Sequence, residues 1–147
     1  MRYLLDTHIF LYIAIDKEYI DNDVMSIITD YDNTLCVSAE TLRELVVGYN
    51  NKSFSTKRWK TCEELINAVE ETYNIEVLPL TEQVMQTYSR LRRNEAQGHK
   101  DPSDHVIISH AISLDLPLIS SDTRFEFYRK QGLQLIFNTT GTPPQSA

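Results

Sequence analysis

Two kinds of hydrophobic pattern alternate along the chain. Compact apolar runs at residues 2–5, 34–38, 75–80, 116–121 and 133–137 lie between polar or turn residues, which predicts short buried strands. Between them apolar residues recur at helical spacing. Val24, Ile27, Ile28 and Tyr31 follow i, i+3, i+4, i+7 and predict a helix over 21–31. Leu42, Leu45, Val46 and Tyr49 form the stripe of a helix that Ser38 can cap and that Gly48-Tyr49-Asn50-Asn51 ends. Trp59, Cys62, Ile66, Val69 and Tyr73 mark a third helix. Thr81 and Glu82 open a fourth, carrying Val84, Tyr88 and Leu91. Pro102 starts another, with Ile107, Ile108, Ala111 and Leu114 inward, and 123–130 is a short one. Residues 7–15 are apolar almost throughout. That helix carries more apolar surface than one sheet face buries. Either it is sandwiched between the sheet and its neighbours, or part of it meets a partner.

Strands alternating with helices imply parallel pairing and right-handed crossovers. The expected fold is a single α/β domain over residues 1–137, a three-layer sandwich around a central, mainly parallel five-stranded sheet. Residues 138–147, with Gly141, Pro143 and Pro144, read as a flexible tail. A chain of 147 residues, 41% hydrophobic and 24% charged, can build its core without disulfides or structural zinc, and this composition excludes a disordered chain. The longest apolar run, 9–15, is far short of the ~20 residues of a membrane span, and its acidic and basic flanks argue against a secretion signal. Cys36 and Cys62 form no metal-type cluster and read as free thiols in a reducing cytoplasm.

Charge changes the picture. Twenty-one acids against 14 Lys and Arg give a net charge of -7, opposite in sign to a generic basic nucleic-acid binder. A polyanionic substrate must meet local positive patches, or a cation held by some of the acids. Asp6 ends the first strand and Asp122 follows the fourth, and side chains just past the carboxyl ends of parallel strands face the functional crevice. Asp101 and Asp104 lie at a helix start in Asp101-Pro102-Ser103-Asp104, and Glu44 lies off its helix's apolar stripe. Each acid has a bland reading: Asp6, Asp101 and Asp122 as helix caps, Asp104 as a first-turn acid, Glu44 as a solvated residue. Joint placement at one end of the sheet favours a cluster. A bare cluster repels itself, and a hard cation removes that cost. Carboxylates without Cys or repeated His favour magnesium or manganese over zinc.

Leu4-Leu5-Asp6-Thr7-His8, Glu44 within Ser38-Ala39-Glu40-Thr41-Leu42-Arg43-Glu44-Leu45, His99-Lys100-Asp101-Pro102-Ser103-Asp104-His105, and Leu118-Ile119-Ser120-Ser121-Asp122 resemble, in that order, PIN-domain ribonucleases, especially the VapC-type toxins of bacterial toxin–antitoxin pairs. The resemblance runs to about Phe137. It implies a magnesium-dependent endoribonuclease, with manganese able to substitute, whose metal-binding acids are Asp6, Glu44, Asp104 and Asp122. Asp101 would support the site or orient its helix, and Thr7 would place its hydroxyl near the metal or the phosphate. A small antitoxin partner and a homodimer are further implications. In one PIN subgroup a bulky residue stands at position 103 and Arg at 105; here Ser103 and His105 stand there, and His105 reads as a partly exposed helix histidine.

Two basic groups, Lys52, Lys57, Arg58 and Lys60, and Arg90, Arg92, Arg93 and Lys100, are either solvated faces or phosphate contacts at the pocket rim. Tyr49 and Trp59 lie on apolar stripes and read as core or interface. A catalytically silent PIN-like module that binds RNA or protein is the competing reading. A phosphoaspartate receiver is disfavoured, because the third strand ends Leu78-Pro79-Leu80-Thr81 without an Asp.

Overall fold

The computed structural model describes residues 1–140. Five short strands, β1 (Arg2–Leu5), β2 (Thr34–Ser38), β3 (Glu76–Leu78), β4 (Leu118–Ser120) and β5 (Leu135–Phe137), form one sheet in the order β3-β2-β1-β4-β5, every pair parallel. The helices are α1 (Thr7–Ile15), α2 (Asn22–Thr29), α3 (Ala39–Asn51), α4 (Cys62–Glu71), α5 (Glu82–Arg90) and α6 (Pro102–Leu114). A 3₁₀ turn covers Lys17–Tyr19 and a longer 3₁₀ helix Thr123–Gln131.

Strand alternation divides the core. Leu5, Leu35, Val37 and Ile119 face one side and pack with α1, α3 and α4 through Ile9, Phe10, Leu45, Leu65 and Val69. Leu4, Cys36, Leu78 and Leu118 face the other side and pack with Ile107, Ile108 and Ala111 of α6 and with Phe125 and Tyr128. Each fully buried aliphatic side chain contributes about 1.5–3 kcal/mol. The result is the expected three-layer α/β sandwich, wholly parallel in its sheet.

Helix α1 is the middle of its layer. Among its residues only His8 is exposed, and Leu11 and Ile15 are half-buried, so most of its apolar surface is used within the chain. Several sequence expectations shift. Tyr31 lies beyond α2 and is fully exposed, and Leu114, expected inward, is 40% exposed. Gly48 does not stop α3. A Cβ there would lie 2.5 Å from the Phe54 ring, so glycine lets the following loop fold back on the helix, which ends at Lys52 with φ 55°. Arg58 donates to the Ala14 carbonyl at the end of α1, and Trp59 is buried with its carbonyl accepting from Tyr49 Oη, so this stretch is a structural strap.

The expected tail boundary also moves. Asn138 is 1% exposed: its Oδ1 accepts from the Asp21 N–H, and its Nδ2 donates to the Tyr19 carbonyl and to Ser121 Oγ, each at 2.8 Å. The chain is therefore pinned through residue 138. Residues 141–147, including Gly141, Pro143 and Pro144, lie outside the described residues.

Candidate active site

Strand order places a topological switch between β1 and β4, where successive connections leave in opposite directions. The carboxyl ends of two such strands flank an open crevice. Asp6 follows β1 and Asp122 follows β4. The N-terminus of α6 brings Asp101 and Asp104, and the second turn of α3 brings Glu44. All five acids line one cleft of about 440 Å³ together with Thr7, His8, Tyr12, Ser121, Thr123 and Arg124.

Capping and clustering turn out to be one arrangement. Asp6 Oδ1 accepts from the Thr7 N–H at 2.8 Å, Asp101 Oδ1 from the Ser103 N–H at 2.9 Å, and Asp122 Oδ1 from the Arg124 N–H at 2.9 Å. Three helix N-termini thus converge on the cleft. Their unpaired amides and dipoles offset part of the repulsion among the acids.

The remaining oxygens are held by side chains. Ser120 Oγ donates to Asp6 Oδ2 at 2.8 Å. Thr7 Oγ1 donates to Glu44 Oε1 at 2.5 Å and lies 2.9 Å from Thr41 Oγ1. With its one proton given to Glu44, Thr7 accepts from Thr41. Arg124 grips Asp122 through Nε and Nη2, and its Nη2 stands 4.0 Å from Asp104 Oδ2.

Asp104 has a buried partner that sequence reasoning missed. His99 Nε2 lies 2.9 Å from Asp104 Oδ2, and its Nδ1 lies 3.0 Å from Tyr128 Oη. Tyr128 Oη also accepts from the Asn94 N–H, so the imidazole links Asp104 to the buried end of the cleft. His105, expected to be partly exposed, is buried, its ring centroid 4.8 Å from that of His99. The signal for His99 was present, five residues before Asp104 in the same motif. Arg124, Ser120 and Thr41 carried none, since each matters only through a fold contact.

Electrostatics divides the acids. Burial, with Asp104 nearby, raises Asp6 to about 6. Burial, with Asp6 and Asp101, raises Glu44 to about 7 against the Thr7 hydrogen bond. Burial, with Asp101, Glu44 and Asp122, raises Asp104 to about 8, Arg124 only partly opposing. Asp122 goes the other way: burial pushes it up, but the Arg124 side chain and backbone N–H together bring it below the usual carboxylate range. Burial and Arg124 lower His99, so it stays neutral.

Glu44, Asp101 and Asp104 each offer a ligand atom within 4.8 Å of the others, and so do His99, Asp104 and Asp122. Asp6 belongs to neither group, though it shares their cleft. The donors are carboxylates with one imidazole and no thiolate, and they fit a hard divalent cation.

Parallel strands that deliver acids to one crevice define a class of α/β domains. Within that class the chain belongs to the PIN-domain family, whose model matches residues 3–131. Solved structures agree in fold. VapBC-1 from nontypeable Haemophilus influenzae is 28% identical, with TM-score 0.64, covering 93% of this chain and 98% of that one. VapBC2 from Rickettsia felis, bound to a promoter DNA fragment, is 24% identical with TM-score 0.67, covering 94% and 99%. VapBC-5 from Mycobacterium tuberculosis, a member of the VapBC family of toxin–antitoxin systems, is 21% identical with TM-score 0.57, covering 93% and 97%. No curated protein sequence matches significantly. PIN domains are generally nucleases. Among the described residues no helix is long and apolar enough to cross a membrane.

Proposed function

We propose that this chain is a magnesium- or manganese-dependent endoribonuclease, the toxin of a toxin–antitoxin pair. The observation that carries the reading is the convergence of Asp6, Glu44, Asp104 and Asp122 on one cleft in which three of the four are pushed toward the protonated state. Besides Arg124 and His8, the cleft lining holds no basic side chain. Such a set is costly by itself and is relieved by a dication. A silent binding module would have no use for that cost.

Glu44, Asp101 and Asp104 would hold the cation, with Asp6 and Asp122 lining the same cleft. The bound cation would polarise a phosphate oxygen and lower the pKa of a water. The chain's own residues do the rest. Thr7 Oγ1 fixes Glu44, the Thr7 N–H and Ser120 Oγ fix Asp6, and His99 Nε2 fixes Asp104 through Oδ2. Arg124, exposed on one side, offers its guanidinium to a non-bridging phosphate oxygen while it steadies Asp122.

The VapBC neighbours support a small antitoxin as partner, and a second copy of the chain completes the assembly. A cationic antitoxin side chain entering the cleft would take the place of the cation. The test is cleavage of single-stranded RNA by purified chain with magnesium, with manganese and with excess chelator, alone and after co-purification with the product of the adjacent small reading frame. Cutting only with the dications, suppressed by the partner, supports the proposal. Undiminished cutting in chelator, or by Asp104→Asn, overturns it.

A further inference from the structure

A second concavity, about 740 Å³, lies beside the acid cleft and has the opposite character. Arg92, Arg93 and Lys130 line it with exposed Phe127, and Glu95 is its one acid. In a protein of net charge -7 such a groove is a local reversal of sign. Its walls are fastened together: the Arg92 N–H donates to Gln131 Oε1 and Gln131 Nε2 donates to the Arg92 carbonyl, each at 2.9 Å.

The 3₁₀ helix joins the two concavities. With three residues per turn, positions three apart stand in line, about 6 Å per step. Burial follows that period. Phe125 and Tyr128 face the core, while Arg124, Phe127 and Lys130 share another face. Arg124 lines the acid cleft; Phe127 and Lys130 line the groove. Asn94 ties the far wall to the same row, its Nδ2 donating to the Arg124 carbonyl at 3.1 Å. One row thus runs cation, aromatic ring, cation, from the cleft outward.

We infer that this row, faced by Arg92 and Arg93, is the path of single-stranded RNA leaving the cleft, with a base stacked on Phe127 and backbone phosphates on Arg92, Arg93 and Lys130. The inference rests on the nuclease reading and adds a strand path to it. An extended strand repeats phosphate and base together, and a row that repeats charge and ring matches both. Phe127 is 41% exposed on a charged face, its ring set edge-to-face on that of Tyr128 at 5.2 Å between centroids, which leaves part of the ring open to a base. Duplex RNA would hide its bases from that ring.

The test measures binding of a fluorescent single-stranded RNA 12-mer to the full chain in chelator, across a salt series, with cleavage in magnesium followed in parallel. Arg92→Ala/Arg93→Ala/Lys130→Ala should weaken binding at least about tenfold and flatten the log–log salt slope by about 2. Phe127→Ala should weaken it at least about fivefold with the slope unchanged, and Phe127→Trp should restore it. Lys57→Ala/Lys60→Ala, which removes charge elsewhere, should bind as wild type.

Variants that bind and cut like wild type overturn the path and leave the nuclease reading standing. Wild type that cuts no RNA in magnesium overturns the nuclease reading itself. Equal loss in the Lys57/Lys60 control makes the effect nonspecific charge and overturns the path. A changed oligomeric state of Phe127→Ala by light scattering assigns the face to a protein contact and overturns it too.

Discussion

Glu40 and Glu44 lie one turn apart on α3, both at the boundary with α6, and their surroundings differ in one respect. Glu40 is buried with a cation. Arg43 donates to its Oε2 through Nε and Nη2, and Ser103 Oγ donates to the same oxygen at 2.6 Å. This cluster fastens α3 to the first turn of α6. Glu44 is half-buried beside acids, with a threonine hydroxyl as its closest partner. A buried acid with its own cation is a fastening. A buried acid left among acids keeps its repulsion, and the neighbouring fastening fixes both helices around it. The same contrast recurs within the cleft, where Arg124 Nη2 lies 2.7 Å from Asp122 Oδ2 but 4.0 Å from Asp104 Oδ2, whose closer partner is His99.

Removing each glutamate is the sharpest way to break the comparison. Glu44→Gln should cut RNA cleavage by about 10³-fold or more, the several kcal/mol expected when cation binding is disrupted. Its metal-free melting temperature at pH 8 should hold or rise, since repulsion is relieved. Glu40→Ala should keep more of its turnover but lose about 1–3 kcal/mol of stability, because Ser103 and Arg43 lose their acceptor. Denaturant titration and single-turnover cleavage of both proteins decide the matter; equal loss of stability in the two would erase the distinction.

His99 tests whether Asp104 needs its neutral partner. His99→Leu should weaken manganese affinity and cleavage about 10–100-fold, as for other groups that orient a ligand. His99→Gln should recover much of this, because the amide nitrogen stands close to the place of Nε2. Manganese titration by paramagnetic resonance reads affinity separately from turnover, and no recovery with Gln would assign His99 to packing alone.

A smaller effect separates the acids by pH. Asp6, Glu44 and Asp104 have folded values of about 6, 7 and 8, above their unfolded values near 4. The folded state therefore binds more protons in that window. The stability they confer is fully present below about pH 4 and is lost as pH rises through 6 to 8. Buried His99, His105 and His110 are lowered from 6.5 by burial and act in the opposite sense below that pH. The clean window is therefore pH 7 to 8.5. In chelator the melting temperature should fall across it; saturating manganese or Asp104→Asn should flatten the fall. A rise with pH in chelator would contradict the assignment.

The smallest effect belongs to Arg43→Ala. Its side chain is largely exposed, so thermal unfolding should show a loss of no more than about 1 kcal/mol.

What was legible beforehand was local. The apolar run ending in Leu4 and Leu5, the caps Asp6, Ser38, Asp101 and Asp122, and Pro102 at the first turn of α6 depend on neighbours a few residues away, and each stands where its pattern implied. Strand ends were legible too, and with them the gathering of Asp6, Glu44, Asp101, Asp104 and Asp122 at one edge. The order β3-β2-β1-β4-β5 was not, because pairing partners are chosen by packing across the sheet and leave no mark in either strand. Everything that depends on that order was hidden with it. Ser120 reaches Asp6 across 114 positions, Ser103 reaches Glu40 across 63, and Asn138 reaches Asp21 across 117. Asn138 looked like the start of a tail because nothing beside it in the chain uses its amide. Asp104 and Asp122 looked equivalent for the same reason: the desolvation that raises one, and the guanidinium that lowers the other, exist only once α6 and the 3₁₀ helix are packed around a common cleft.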